Sequence, residues 1–102
     1  MKFSKNWNNK LDNKIFSTIR KHTKEKEEYY KSKVGQMDRM ELNGELHHHA
    51  KLFDVSVKKY SELSFEFLVL DTGIPSRAIM DRVFSNFGIH EQDLVIVLLY
   101  ES

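Results

Sequence analysis

A chain of 102 residues with 40% hydrophobic content makes one domain with a modest core. The absence of cysteine excludes disulfides, thiolate metal sites and cysteine nucleophiles. The longest apolar run, Leu94–Tyr100, falls well short of the roughly 18 residues of a membrane span, and Met1–Lys5 leads into polar residues rather than a signal-peptide core. The expectation is a soluble, intracellular protein of the cytoplasm without a membrane partner. The net charge of +1 conceals a strong asymmetry. Residues 1–34 carry ten Lys/Arg against four acids, and residues 35–102 carry six against eleven. Such a split favours a polyanion at one face, with a solvated lysine-rich surface as the plainer explanation.

Residues 1–13 are polar, with Phe3, Trp7 and Leu11 as their apolar anchors, and read as an N-terminal arm or frayed helix. Trp7 reads as the residue that pins this arm. The domain proper is expected over residues 14–102. Residues 14–20 alternate as a strand, with Ile15, Ser17 and Ile19 on one face and Phe16, Thr18 and Arg20 on the other. Thr23 is placed to cap a surface helix that Gly35 ends. Met37 to Leu42 and Leu46 to Val57 form a hairpin about the turn Asn43-Gly44. Within the return strand Leu46, Ala50 and Leu52 share one parity, while Phe53, Val55 and Val57 share the other. A bulge within residues 50–53 reconciles them.

Ser61-Glu62-Leu63-Ser64 opens a short helix that Asp71-Thr72-Gly73 closes. Pro75 is expected in the first turn of the next helix, whose stripe is Ile79, Met80, Val83, Phe84 and Phe87, with Gly88 beyond its end. Asp93–Tyr100 reads as a strand buried on both faces. The order β-α-β-β-α-α-β predicts an α+β domain around a mixed sheet or small barrel, with about three flanking helices.

The chemistry concentrates in the first strand and after it. Arg20, Lys21, Lys24 and Lys26 are candidates to hold phosphates, because arginine forks onto phosphate oxygens and lysine adds point charge. Tyr29 lies among these charges as a candidate stacking surface for a base. Thr18 becomes a nucleophile only if a neighbouring base takes its proton; Lys14 is the candidate base and Asp71 the candidate orienting or proton-shuttling group. A structural Arg20–Asp71 ion pair is the plainer alternative. His47 and His49 would share a strand face, but two histidines without a third ligand do not make a metal site. They read as an exposed cluster titrating near about pH 6.5. No phosphate-cradling glycine loop is present, so no cofactor is expected.

The Lys14–Arg20 strand, Asn43-Gly44, the segment Ala50-Lys51-Leu52-Phe53-Asp54-Val55-Ser56-Val57, the helix from Ser61 to Gly73 and the apolar closing strand come in an order that resembles an ASCH domain, a branch of the PUA-like superfamily. The resemblance spans roughly residues 14–101. It implies a small β-barrel with covering helices and a cleft that binds RNA or nucleotides. Some bacterial members are amidohydrolases acting on N4-acylated cytidine, with a lysine, a threonine and a glutamate as the catalytic set. On this chain the threonine matches Thr18, the arginine beside it Arg20, and the glutamate position falls on Asp71. The lysine position falls on Ile15, next to Lys14.

Three functions follow as expectations. The first is an RNA- or nucleotide-binding domain whose cleft lies between the 14–20 strand and the helix ending at Asp71. The second is an amidohydrolase on N4-acylated cytidine-type nucleosides, using Lys14, Thr18 and Asp71. The third is a protein-interaction module with a basic docking face.

Overall fold

The apolar closing segment forms strand β5 (Leu94–Glu101), and Val95 through Leu98 are all buried in the computed structural model, which describes residues 1–102. A strand buried on both faces needs neighbours on both edges, and β5 has them. It pairs antiparallel with β2 (Ile15–Lys21) on one side and with β4 (Glu45–Lys59) on the other. Strand β4 pairs with β3 (Met37–Leu42), and the two-residue strand β1 (Lys2–Phe3) adds to β3 in parallel. The order β1-β3-β4-β5-β2 curls into a five-stranded half-barrel of mixed sense, as an α+β fold.

Alternation along β5 feeds two cores. Ile96, Leu98 and Tyr100 join Phe16, Met40, Ala50, Leu52 and Leu11 inside the curl. Phe16 stacks on Tyr100 with ring centroids 5.4 Å apart. Val95 and Val97 face the opposite way, onto Tyr60, Leu63, Leu68, Met80, Phe84 and Ile89. The helices α2 (Phe65–Thr72) and α3 (Arg77–Asn86) supply Leu68, Met80 and Phe84 to that second cluster, and the segments flanking them supply Tyr60, Leu63 and Ile89. Helix α1 (Lys24–Lys33) buries no residue and lies on the surface, as its thin apolar stripe requires.

Local sequence sets the boundaries. The Thr23 hydroxyl accepts from the Lys26 amide at 3.1 Å and starts α1; Ser64 caps α2 in the same way through the Phe67 amide. Gly73 ends α2 in the left-handed region at φ +72, with its N–H donating to the Val69 carbonyl. The turn at Asn43-Gly44 takes positive φ at both residues, which matches the twist of a tight hairpin. The parity change in β4 is resolved by a register shift between Leu52 and Asp54, which leaves Phe53 as the extra residue.

Two expectations change. Pro75 lies before the helix rather than in its first turn, because Ser76 caps α3 and accepts from the Ile79 amide. A second bulge between Met40 and Glu41 lets the segment Leu46–His48 of β4 oppose those two residues, which makes His47 the extra residue. His47 and His49 therefore do not act as a pair across one face. The contact is between His47 and His48, whose rings are 4.9 Å apart, and His47 also reaches Asp12 at 3.1 Å. Burial and the neighbouring His47 push the His48 pKa below its usual 6.5.

Burial also separates the tyrosines from the solvent-exposed case. The hydroxyl groups of Tyr60 and Tyr100 are both pushed well above the usual 10.0, chiefly by desolvation, and Tyr60 also donates to Asp81 at 2.8 Å. A phenol with a raised pKa in the fold stabilises the fold fully below its unfolded pKa. That stability is lost as pH climbs past the unfolded value toward the folded one. Unfolding free energy measured by denaturant titration should therefore fall steadily from about pH 10 upward. Tyr60→Phe should make the fall shallower; an unchanged slope would mean that Tyr60 ionises freely in the fold.

Candidate functional site

The polar first segment does not hang free. Residues Trp7–Asp12 form a 3₁₀ turn that passes over α2, with the Asn8 side chain donating to the Leu70 carbonyl at 3.2 Å. Leu11 enters the core, and Lys10 is 4% exposed. Asn8 and Asn9 both adopt positive φ, a conformation asparagine tolerates better than other non-glycine residues. This turn and β1 form one wall of a cleft, β2 with the end of α2 forms its floor, and α3 with its following loop forms the far wall.

The cleft has a volume of about 380 Å³. Its cations are Lys2, Lys5, Lys10, Arg20, Lys21 and Lys26, and its one carboxylate is Asp71. Its aromatic surface comes from Phe3 and Trp7 on the near wall and Phe84 and Phe87 on the far wall. Phe87, expected on the apolar stripe of the helix, lies just past the end of α3 and is exposed over 65% of its surface.

At the floor, Asp71 is 4% exposed and both its oxygens are engaged. The Lys10 ammonium lies 3.2 Å from Oδ1, and the Ser17 hydroxyl donates to Oδ2 at 2.7 Å. Burial drives the Lys10 pKa below 10.5, Asp71 works against that by attraction and a hydrogen bond, and Arg20 adds repulsion. The Lys10 ammonium also lies 5.8 Å from the centre of the Phe3 ring, and the Arg20 guanidinium lies over the same ring at 5.2 Å. Arg20 donates weakly to the Lys2 carbonyl at 3.4 Å, and its Nε is buried with no hydrogen-bond partner. Lys5 stands over Trp7 at 5.2 Å.

Thr18, Arg20, Lys21, Lys26 and Asp71 all line this cleft. Arg20 and Asp71 do not pair; the buried ion pair of Asp71 is with Lys10. Lys14 is displaced from the site. It is exposed, precedes β2 and lines no part of the cleft, so it cannot serve Thr18 as a base. The register explains this, since residue 15 already pairs with Glu101 at the far end of β2. Lys24 and Tyr29 also lie outside the cleft; Tyr29 is exposed on α1, edge-on to Tyr30 with Lys33 over its ring. Trp7 does more than anchor the arm, because its ring forms part of the wall.

Sequence reasoning missed Lys10 and Ser17. A lysine in a polar segment gives no sign that it will be buried, since lysine is almost never buried unless paired. The available signal was Leu11, whose burial on the adjacent position brings the turn onto the body.

No protein-family model matches the chain, and none of the curated proteins matches it. Among solved structures, the high-resolution crystal structure of an ASCH domain from Lactobacillus crispatus JV V101 is similar, with a TM-score of 0.64. The likeness covers 92% of this chain and 67% of that one at 18% sequence identity. No helix is long and apolar enough to cross a membrane. The course of the sheet, the placement of the helices and this likeness agree: the chain has the α+β fold seen in that ASCH domain.

Proposed function

We propose that the cleft binds RNA, taking one unstacked nucleotide between its aromatic walls. The observation that carries this reading is the lining itself, six cations against one carboxylate, with aromatic side chains on facing walls. Cations attract the phosphate backbone, and the half-buried Trp7 and the exposed Phe87 offer stacking surfaces that accept any base. A cavity of about 380 Å³ suits one nucleotide rather than a duplex, and recognition of unpaired RNA rests on stacking bases that have left the helix. Lys21 and Lys26 are exposed members of the lining, open to the phosphates of a longer strand.

The test is a titration with fluorescent single-stranded RNA and matched DNA across a salt series, for the native chain and Arg20→Ala. Affinity should fall with salt at a log–log slope of about −0.7 per phosphate contacted. Loss of the guanidinium should weaken binding by about tenfold or more, the worth of a hydrogen bond to a charged group. Flat curves for both nucleic acids would overturn the reading.

A further inference from the structure

We infer that the deep end of the cleft is a terminal-phosphate pocket, so that RNA enters with a phosphate monoester at one chain end leading and its base following onto the aromatic walls. The inference rests on the RNA-binding reading above and specifies which part of the ligand goes where.

Three features of the floor point to an anion rather than a base edge. The first is charge. Lys10 and Arg20 flank the Phe3 ring from 5.8 and 5.2 Å, and Asp71 is the sole carboxylate among the cleft residues. The buried Lys10 and the half-buried Arg20 against one carboxylate leave a net positive floor, where an unbalanced charge is costly. The second is the orphaned Arg20 Nε. A buried donor without an acceptor is rare in a native fold, and it calls for an acceptor from outside the chain. The third is the allocation of hydroxyls. Ser17, not Thr18, bonds to Asp71, which leaves the Thr18 hydroxyl outside the ion pair on a residue that lines the cleft and is 3% exposed.

Asp71 does not spoil such a pocket, because one of its oxygens is held by the Lys10 ammonium and the other by the Ser17 hydroxyl. An arriving phosphate would meet guanidinium, ammonium and hydroxyl donors together.

The choice of a monoester over an internal phosphodiester comes from the shape of the floor. Thr18, Asp71 and Thr72 are all at most 7% exposed, and with the buried Lys10 they make the least accessible part of the lining. A diester must leave by two paths, whereas a terminal phosphate needs one. The monoester also carries more charge, about −1.5 to −2 at neutral pH, which a positive floor with exposed lysines in the lining rewards.

The experiment compares one short single-stranded RNA in three forms, with a 5′-phosphate, with a 3′-phosphate, and with hydroxyls at both ends. Each is titrated at fixed ionic strength, with inorganic phosphate as competitor. The expected result is binding at least about tenfold tighter for one phosphorylated form than for the hydroxyl form, with inorganic phosphate eroding that advantage. Thr18→Val and Arg20→Gln should shrink the ratio of the two affinities toward one, and Thr18→Ser should keep it. Equal affinity for all three RNAs would overturn the terminal-phosphate pocket and leave the RNA-binding cleft standing. Failure of every RNA to bind would overturn both.

Discussion

Asp71→Ala is expected to destabilise the fold by about 3–5 kcal/mol, because it leaves a buried ammonium without its counter-charge. The side chains of Lys10 and Asp71 are 5% and 6% exposed, so water cannot take over the lost interaction without opening the turn Trp7–Asp12. Ser17 also loses its acceptor. Equilibrium unfolding in urea measures the loss directly. The pair itself need not be net stabilising, since exchanging both charges for apolar groups of similar volume is often neutral or better. The double variant Lys10→Met with Asp71→Leu should therefore recover most of the stability lost in Asp71→Ala. A single-variant loss below about 1 kcal/mol would place the pair in the weak class of solvated surface ion pairs.

Gly73→Ala should act at the same junction by a different route. Gly73 sits at φ +72, where an L side chain costs roughly 1–2 kcal/mol. A Cβ there would also come within 2.9 Å of the Asn8 Cβ and 3.1 Å of its Cγ. Relieving that overlap moves the 3₁₀ turn or the end of α2, and forced shifts of this kind cost about 1–3 kcal/mol. Together the expected destabilisation is about 2–5 kcal/mol. Thermal unfolding measures it, and Asn8→Gly alongside Gly73→Ala separates the two causes. The double variant should regain the steric part and keep the backbone part. No recovery in the double variant would show that the contact with Asn8 contributes nothing.

The parts of the fold legible in the sequence were those with a local physical signature. Strand β2 announced itself by alternation, the hairpin by Asn43-Gly44, and the bulge at Phe53 by a change of apolar parity within one strand. The helix ends followed from Thr23 and the glycines after each helix, but α2 starts at Phe65 rather than at Ser61, because Tyr60–Glu62 forms its own 3₁₀ turn and Ser64 caps the helix. The second bulge gave no such sign, because His47, His48 and His49 are polar and alike, and a register shift among them changes no apolar pattern. The site was legible to the extent that its charge was visible: Arg20, Lys21, Lys26, Thr18 and Asp71 line one cleft. Lys14 was misplaced and Lys10 overlooked for one reason. Nearness in sequence to Thr18 favoured Lys14, whereas the fold brings Lys10 to Asp71 across 61 positions of chain.

The two cores meet at a single strand, since Ile96, Leu98 and Tyr100 serve one and Val95 and Val97 serve the other. Strand β5 cannot leave without dissolving both clusters. A chain of this size could have divided into a stable sheet and a loosely held helical flank. The shared strand instead makes it one cooperative unit, in which damage to the helices is felt inside the barrel and damage to the barrel is felt at the cleft.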